Sequence, residues 1–357
     1  MALLSPVFWP EVRRGSERFA RELADGLITR GHEPTLITSH RGATTVCMED
    51  GLRVIRLWRP PDARLERRMF ERHLTHIPFS YAALRRGDYD LAHAVYPTDA
   101  LAAARWRART GRPAVLSYMG IPHRRGLANR RWRAEITRRA FAGASAVVML
   151  SAAAADASER WLGFRPRVIA PGVDLVSFSP GGERAAAPTI ICPAALGVPR
   201  KRVELLVEAF AQVRAERPDA RLVLSRPAGG GGGPLAPGLG LVDLDDRDEL
   251  VAAYRSAWVC ALPSLGEAFG LVLAEALACG TPVVGSNDGA IPELIDRPAI
   301  GRLFEGGDPD ALARTLLECL ELSRDPVTAP ACRARVLKLS GEAMVDSYLA
   351  LYRELGA

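Results

Sequence analysis

The chain has almost no lysine. Lys201 and Lys338 are the only lysines among its 47 lysine and arginine residues. A lysine ammonium is a compact point charge, which phosphate sites use differently from the planar guanidinium of arginine. Both lysines are therefore candidates for a phosphate contact, and the excess of arginine is typical of proteins from GC-rich genomes.

Long apolar runs and paired cysteines are also missing. No stretch approaches the roughly 18 apolar residues that a membrane-spanning helix needs, so none is expected. The N-terminal residues lack the basic start of a signal peptide and predict a strand instead. The six cysteines (47, 192, 260, 279, 319 and 332) form no CxxC pair, which favours a reduced, cytoplasmic protein without a structural metal.

The overall composition is that of an ordinary globular protein, and the length suits two domains. The chain has 357 residues, of which 48% are hydrophobic and 25% charged. A strand over 2–8, a helix ended by Gly31 and a strand after Pro34 form an opening β-α-β unit. This alternation predicts an α/β protein with doubly wound domains.

The most specific pattern lies in residues 257–284. An apolar run predicts a buried strand, small residues turn the chain, and apolar positions from about Phe269 predict a mostly buried helix ended by Gly280. Glu267 falls in the loop and Glu275 on the helix. Buried carboxylates need partners, and a helix N-terminus attracts anions. The pattern suits a phosphorylated ligand rich in hydroxyl groups; the alternative is that both glutamates are helix-surface charges.

Residues 262–293 include Gly-Glu-Ala-Phe-Gly-Leu and Ala-Leu-Ala-Cys-Gly-Thr-Pro-Val-Val. They resemble the Glu-x7-Glu signature of retaining glycosyltransferases of family 4. The resemblance implies the GT-B fold: two doubly wound Rossmann-like domains facing a central cleft, with the C-terminal helix crossing back to the first domain. It implies an acceptor-side domain at 1–172 plus the helix at about 341–357, and a nucleotide-sugar donor domain at 173–340.

The same resemblance implies roles for particular residues. Glu267 would bind the donor sugar near the reacting carbon, and Lys201 would hold the diphosphate; these two are the expected catalytic residues. Glu275 would bind the ribose hydroxyls. The remaining donor contacts are expected from Gly15 in the first loop and from the backbone of Ala268, Phe269, Gly270 and Leu271.

The chain departs from the family pattern on both sides of the reaction. The family's phosphate-binding arginine is expected near 195–196, where the chain has Ala195 and Leu196. Losing a charged hydrogen bond would cost about 1.5–3 kcal/mol, so Arg200 is the expected replacement. Met119 stands where the family often has a histidine near the acceptor. His123, four residues further on, is the candidate substitute.

Residues 124–143 predict one amphipathic helix with seven arginines, whose other face carries Trp132, Ile136 and Ala140. Such a helix is a solvated surface helix, or it lies peripherally on the inner face of an anionic membrane, or it meets an anionic acceptor. Nucleic acid is not an expected partner, because aromatic residues are not interleaved with the basic ones. The five glycines at 229–233 predict a surface loop and not a phosphate loop.

The predicted function is a retaining glycosyltransferase that moves a hexose from a nucleoside-diphosphate sugar to an unidentified acceptor (a glycan, a lipid or a small molecule). No cofactor and no metal are expected, because cations and a helix end would take up the charge of the departing diphosphate. The alternative is a catalytically weak protein that binds a nucleotide sugar. A dinucleotide-dependent oxidoreductase is disfavoured, because the first loop lacks G-x-G-x-x-G.

Overall fold

The computed structural model describes residues 1–11, 15–227 and 236–357. The chain divides into two compact units. The first unit comprises Met1–Gly172 together with Gly341–Ala357, and the second comprises Val173–Ser340. The glycine run at 229–233, for which the sequence predicts a surface loop, lies outside the described residues.

The first unit is built on an eight-stranded sheet. Its strands are β1 (Ala2–Leu4), β2 (Thr35–His40), β3 (Thr45–Glu49), β4 (Leu52–Trp58), β5 (Ala92–Ala94), β6 (Ala114–Tyr118), β7 (Ala146–Met149) and β8 (Arg167–Val168). They lie in the order β3-β4-β2-β1-β5-β6-β7-β8. Only β3 runs antiparallel to its neighbour among these described strands. The carboxyl ends of the parallel strands therefore share one edge.

Helices pack on the faces of this sheet. They are α1 (Gly15–Thr29), α2 (Ala63–Arg67), α3 (Ile77–Arg86), α4 (Pro97–Thr110), α5 (Arg124–Ala128), α6 (Arg133–Gly143) and α7 (Ala152–Leu162). The final helix of the chain, Gly341–Glu354, also belongs to this unit and packs beside α1. The contact between them is close, because a Cβ added at Gly26 would lie 2.3 Å from Cγ2 of Val345.

The second unit has a six-stranded parallel sheet. Its strands are β9 (Thr189–Cys192), β10 (Arg221–Ser225), β11 (Leu239–Val242), β12 (Val259–Leu262), β13 (Val283–Ser286) and β14 (Gly301–Phe304), in the order β11-β10-β9-β12-β13-β14. Its helices are α8 (Val203–Glu216), α9 (Arg247–Ser256), α10 (Leu271–Ala278), α11 (Ile291–Leu294), α12 (Pro309–Leu322) and α13 (Thr328–Val336). The final helix of the chain, which belongs to the first unit, is α14 (Gly341–Glu354). Both sheets fit the predicted doubly wound α/β architecture.

The prediction of one helix over 124–143 is wrong. The segment forms α5 and α6, which are separated at Trp132, where the backbone is left-handed with a φ of 66°. The N–H of Arg131 donates to the carbonyl of Met69 at 2.7 Å, and the N–H of Glu71 donates to the carbonyl of Arg131 at 3.1 Å. The residues between the helices therefore pair with the 69–71 segment. Trp132 is 61% exposed and does not share the buried face of α6.

Three other element boundaries differ from the prediction. The first strand ends at Leu4 and not near residue 8. The sequence of 62–85 predicts a helix, but the segment contains α2, a 3-10 turn at Leu74–His76 and α3. The signature helix α10 begins at Leu271, two residues later than expected, because Gly270 adopts a left-handed φ of 93°. No helix in the described part of the chain is long and apolar enough to cross a membrane.

Candidate active site

The signature loop runs from the end of β12 to the start of α10, at the carboxyl edge of the second sheet. Two of its apolar side chains, Ala268 and Phe269, point into the protein and are 7% and 9% exposed, whereas Leu265 is 43% exposed. The N–H groups of Leu273 and Ala274 both donate to the carbonyl of Gly270, at 2.9 and 3.1 Å. The N–H groups at the very start of a helix lack carbonyl acceptors one turn back. The contacts that this stretch can offer a ligand therefore come from its backbone N–H groups and from the side chain of Glu267.

Glu267 lies in this loop and is paired with Lys201. The lysine Nζ is 2.6 Å from Oε2 of Glu267, and the two side chains are 16% and 15% exposed. Lys201 ends a 3-10 turn, Pro199–Lys201, that follows β9. Because β9 and β12 are neighbours in the sheet, their carboxyl ends bring the two charges together. The structure thus brings together the two residues expected to be catalytic.

Arg200 contacts the same carboxylate more loosely. Its Nη1 is 3.4 Å from Oε2 of Glu267, and its side chain is 54% exposed. Its backbone carbonyl accepts a hydrogen bond from the N–H of Leu265 at 2.8 Å. A carboxylate, two cations and a helix start therefore share one edge of the second sheet, and such a group can exchange its internal ion pairs for a diphosphate.

Glu275 lies on the buried side of α10. The residue is 1% exposed, and its Oε2 accepts a hydrogen bond from the hydroxyl of Tyr254 at 3.1 Å. Tyr254 is itself fully buried on α9. Glu275 is therefore not a helix-surface charge, and Glu267 is largely covered as well. The expected ribose contact of Glu275 stays a prediction.

The segment after β13 holds the signature loop from the other side. The hydroxyl of Ser286 donates to the carbonyl of Ser264, and the N–H of Gly266 donates to the carboxylate of Asp288. The N–H of Ala290 donates to the carbonyl of Glu267 at 2.9 Å. The backbone on both sides of the Glu267 carboxylate is thus fixed before any ligand binds, which is the preorganisation that a binding site needs.

In the first unit, Gly15 begins α1 at the carboxyl edge of the sheet. A Cβ at this position would meet nothing within 4 Å, so packing among the described residues does not require glycine there. The next two residues form a polar group with Tyr96. Oε1 of the fully buried Glu17 accepts hydrogen bonds from the hydroxyls of Ser16 and Tyr96, at 3.0 and 3.2 Å.

Sequence reasoning missed this group and proposed other residues for the acceptor side. Met119 is partly buried against the apolar core. His123 is exposed, and its Nδ1 accepts the N–H of Gly126 at 3.1 Å, which caps α5. Nothing tests their expected acceptor role. The signal for Glu17 was a carboxylate in the first turn of a helix; its partner Tyr96 is 79 residues away and could not be found by spacing.

Three buried ionisable side chains stiffen the first unit. His93 contacts the hydroxyls of Tyr352 and Ser117 at 2.7 and 2.8 Å, and burial lowers its pKa to about 3. It is a packed wall residue, fully buried in the first unit. His76 Nε2 lies 3.4 Å from Oδ1 of Asp99, and both residues are fully buried. Burial lowers the pKa of His76 to about 3 and raises the pKa of Asp99 to about 8, so both side chains are neutral near pH 7.

The chain has two α/β units whose described strands are parallel except for β3, and the second unit carries charged groups before a helix start. These features define the class of GT-B proteins. Sucrose-phosphate synthase from Thermosynechococcus elongatus matches with a TM-score of 0.82 at 24% identity, covering 99% of this chain and 98% of that one. HepE of Anabaena, solved in complex with UDP-glucose, matches with a TM-score of 0.76 at 16% identity, covering 99% of each chain. These likenesses confirm the predicted fold.

Family models agree with the fold. The model described as Glycosyltransferase Family 4 matches residues 13–177, and the model described as Glycosyl transferases group 1 matches residues 187–322. The chain belongs to this family, the group 1 or family 4 glycosyltransferases. The resemblance of residues 262–293 to family 4 glycosyltransferases is thereby confirmed, whereas the retaining mechanism stays a prediction.

Individual relatives match over a shorter length. The chain is 36% identical over 218 residues to the D-inositol 3-phosphate glycosyltransferase of Mycolicibacterium vanbaalenii, a match that covers 52% of this chain and 47% of the relative. The protein of the same name from Saccharomonospora viridis is 34% identical over 217 residues, covering 53% of this chain and 50% of the relative. The chain thus spans about half the length of the curated relatives it matches.

Proposed function

We propose that the chain is a retaining, metal-independent glycosyltransferase that moves a hexose from a nucleoside-diphosphate sugar to an acceptor. The second unit would bind the donor and the first unit the acceptor. The observation that carries the proposal is the Lys201–Glu267 pair, 2.6 Å apart, at the carboxyl edge of a parallel sheet and just before the start of α10. Ligands of such sheets bind at this edge.

The ion pair suggests how the donor would enter. In this structure, Glu267 neutralises Lys201. A diphosphate is the stronger partner for a lysine, because it carries more charge and more acceptor oxygens. Binding would therefore exchange the partner of Lys201 and release the Glu267 carboxylate for the hydroxyls of the donor sugar. One event would thus couple recognition of the diphosphate to recognition of the sugar.

The chemistry then requires stabilisation of the departing diphosphate, where negative charge develops in the transition state. Lys201, Arg200 and the N–H groups at the start of α10 would supply it without a metal ion. Glu275 would accept the ribose hydroxyls, and Gly15 would let the backbone approach the donor. Attack from the same face as the leaving group accounts for retention without a protein nucleophile.

Donor binding is tested first, by thermal shift with UDP, GDP, ADP and their sugars, because a ligand raises the melting temperature by mass action. Lys201→Ala should lose the shift. Lys338→Ala is the matched control, since Lys338 is the only other lysine and is exposed. If no nucleotide shifts the wild type, or if both variants respond alike, the donor proposal fails.

Transfer is tested with the donor that binds. Its sugar should reach an acceptor with the anomeric configuration kept, as read from coupling constants by NMR, and the rate should survive EDTA. Inversion or a requirement for metal would overturn those parts of the proposal. Intact donor binding with only background transfer would favour the alternative, a nucleotide-sugar-binding protein. Inositol 3-phosphate is the first acceptor to try, because two relatives that the chain matches over part of their length are named for it.

We also propose a peripheral contact between the first unit and an anionic membrane. The segments 63–72 and 124–133 are joined by backbone hydrogen bonds and expose Met69 and Trp132, which are 50% and 61% exposed. The Phe70 and Trp132 ring centroids lie 4.6 Å apart. An apolar tip among arginines suits the interface of an anionic bilayer. The exposed arginines around it are Arg64, Arg67, Arg68, Arg72, Arg124, Arg125 and Arg131.

Sedimentation with vesicles tests this contact. The protein should pellet with phosphatidylserine vesicles and stay in solution with phosphatidylcholine vesicles. The double variant Met69→Ser, Trp132→Ser should lose most of the binding, whereas Val46→Ser, which removes a similarly exposed apolar side chain from β3, should keep it. If the wild type, the double variant and Val46→Ser all sediment equally, the proposed contact fails and the surface is a solvated one.

A further inference from the structure

The side chain of Arg202 joins three loops at the carboxyl edge of the second sheet. Its Nε donates to the carbonyl of Pro263 at 2.6 Å, and its Nη1 donates to the carbonyl of Gly306 at 2.8 Å. Its guanidinium lies 5.6 Å from the centre of the Phe304 ring. Pro263 follows β12, Gly306 follows β14, and Arg202 itself follows β9. One side chain thus holds the loops after three strands together.

The backbone of Arg202 is also unusual. Its φ is 50° and its ψ is 40°, in the left-handed region that costs an L residue energy and that glycine adopts freely. This conformation ends the 3-10 turn at Lys201 and starts α8 in a new direction. Burial lowers the pKa of the Arg202 guanidinium, and the nearby Asp288 carboxylate works against that shift. A residue that is strained, largely covered and tied to two distant carbonyls is held there by its tertiary contacts.

The hydrogen bonds of Arg202 lie next to the Lys201–Glu267 ion pair in the chain. Lys201 is the residue before Arg202, and Pro263 opens the loop that carries Glu267. The N–H of Leu265 donates to the carbonyl of Arg200, which adds a second link between the same two segments. The link from Arg202 to Pro263 and the link from Leu265 to Arg200 therefore both hold the segment of the lysine ammonium against the segment of the carboxylate.

We propose that Arg202 is a positioning residue of the donor site. It fixes the turn carrying Lys201 against the loop carrying Glu267, and it acts through these two residues without touching the donor. This role rests on the proposed function, since a donor site must exist for its geometry to matter. The two hydrogen bonds from Arg202 to the carbonyls of Pro263 and Gly306, here called the clamp, can be tested without any ligand.

The test uses Arg202→Gly, which removes the clamp and relieves the left-handed strain at the same time. Hydrogen exchange of the ligand-free protein reports on the amides of Leu265 and Gly266. We expect both to exchange about tenfold faster, the factor for losing the equivalent of one or two net hydrogen bonds. Asp50→Gly is the control, because Asp50 is left-handed with a φ of 46° and lies at an exposed turn of the first unit.

Steady-state kinetics with the donor form the second arm. Arg202→Gly should lower kcat/KM about tenfold with most of the loss in the donor KM, because both donor contacts become less well placed. Arg202→Lys keeps the charge but not the two directed hydrogen bonds, so it should restore little of the loss. The positioning role would be overturned if both amides of Arg202→Gly exchange at the wild-type rate. It would also be overturned if they exchange faster while the donor kinetics stay unchanged.

The two arms separate this proposal from the proposed function. If wild-type protein binds and transfers no nucleotide sugar, the function fails, and Arg202 cannot position a donor site. The exchange result then still decides whether Arg202 holds the loop. If the wild type is active and only the Arg202 prediction fails, the function stands.

Discussion

The substitution Glu267→Gln keeps the size of the side chain and removes the charge that Lys201 neutralises. If the donor enters by exchanging the partner of Lys201, this change has opposite effects on two ligands. The nucleoside diphosphate alone needs Lys201 and loses a competitor for it. The intact nucleotide sugar also needs the carboxylate for the hydroxyls of its sugar, and it loses a charged hydrogen bond.

Both effects can be given a size. An ion pair between partly exposed groups contributes about 0.2–1 kcal/mol, and the Lys201–Glu267 side chains are 16% and 15% exposed. Freeing the lysine should therefore tighten nucleoside diphosphate binding by up to about fivefold. A hydrogen bond to a charged group contributes about 1.5–3 kcal/mol, so binding of the nucleotide sugar should weaken by roughly 10- to 150-fold.

Isothermal titration with both ligands measures the ratio of the two dissociation constants. Glu208→Gln is the control, since it makes the same change at an exposed position on α8 of the same unit. Equal weakening of both ligands by Glu267→Gln would refute the exchange, because it would mean that Glu267 supports the fold of the site and not the sugar. A fall in melting temperature beyond that of Glu208→Gln would point the same way.

Three further predictions follow from the distances and burial. Lys201→Ala should lower kcat/KM far more than Arg200→Ala, because the lysine is held 2.6 Å from the shared carboxylate and the arginine is 54% exposed. Gly26→Ala should cost about 1–3 kcal/mol in a thermal melt, because its Cβ would lie 2.3 Å from a methyl group of Val345; Gly15→Ala, at the start of the same helix, should not. Asp99→Asn should remove a loss of stability with rising pH: burial raises the pKa of Asp99 to about 8, so the folded chain keeps a proton that the unfolded chain releases near pH 4. Between pH 6 and 8 the wild type should therefore lose roughly 2–3 kcal/mol relative to the variant.

Each of these predictions can fail in a specific way. A larger kinetic loss in Arg200→Ala than in Lys201→Ala would reverse the two roles. Equal melting temperatures for Gly26→Ala and Gly15→Ala would mean that the helix pair can move apart. Parallel stability curves for wild type and Asp99→Asn between pH 6 and 8 would show that Asp99 is ionised when folded.

The candidate site of the second unit was the more predictable part of the molecule, for a local reason. Glu267, Glu275 and the start of α10 lie within one strand–loop–helix unit, and apolar periodicity with a glycine stop defines such a unit from sequence alone. The pairing of Glu267 with Lys201 needed one more fact, that β9 and β12 are neighbours in the sheet. That order follows from the doubly wound topology, which the resemblance to the family supplied.

Residues that hold the site through distant contacts could not be predicted in the same way. Tyr254 reaches Glu275 from another helix, and Arg202 reaches the carbonyl of Pro263 across 61 residues of chain. A tyrosine on an amphipathic helix or an arginine at a helix start has no sequence signature for such a partner. The break at Trp132 was missed for a related reason, since tertiary backbone pairing overrode helix propensity.

The family's phosphate-binding arginine is missing near 195–196, and either Arg200 or Arg202 could replace its charge. The two differ in how many of their hydrogen-bond donors are already engaged. Arg202 is less suited to the task, because its Nε and Nη1 already donate to two backbone carbonyls and its remaining donor, Nη2, is buried. Arg200 is different: its guanidinium is 54% exposed, and its contact with Glu267 is long at 3.4 Å. Moving it costs little, since an exposed ion pair contributes about 1 kcal/mol at most. We therefore infer that Arg200 follows the diphosphate as a mobile cation while Lys201 stays fixed.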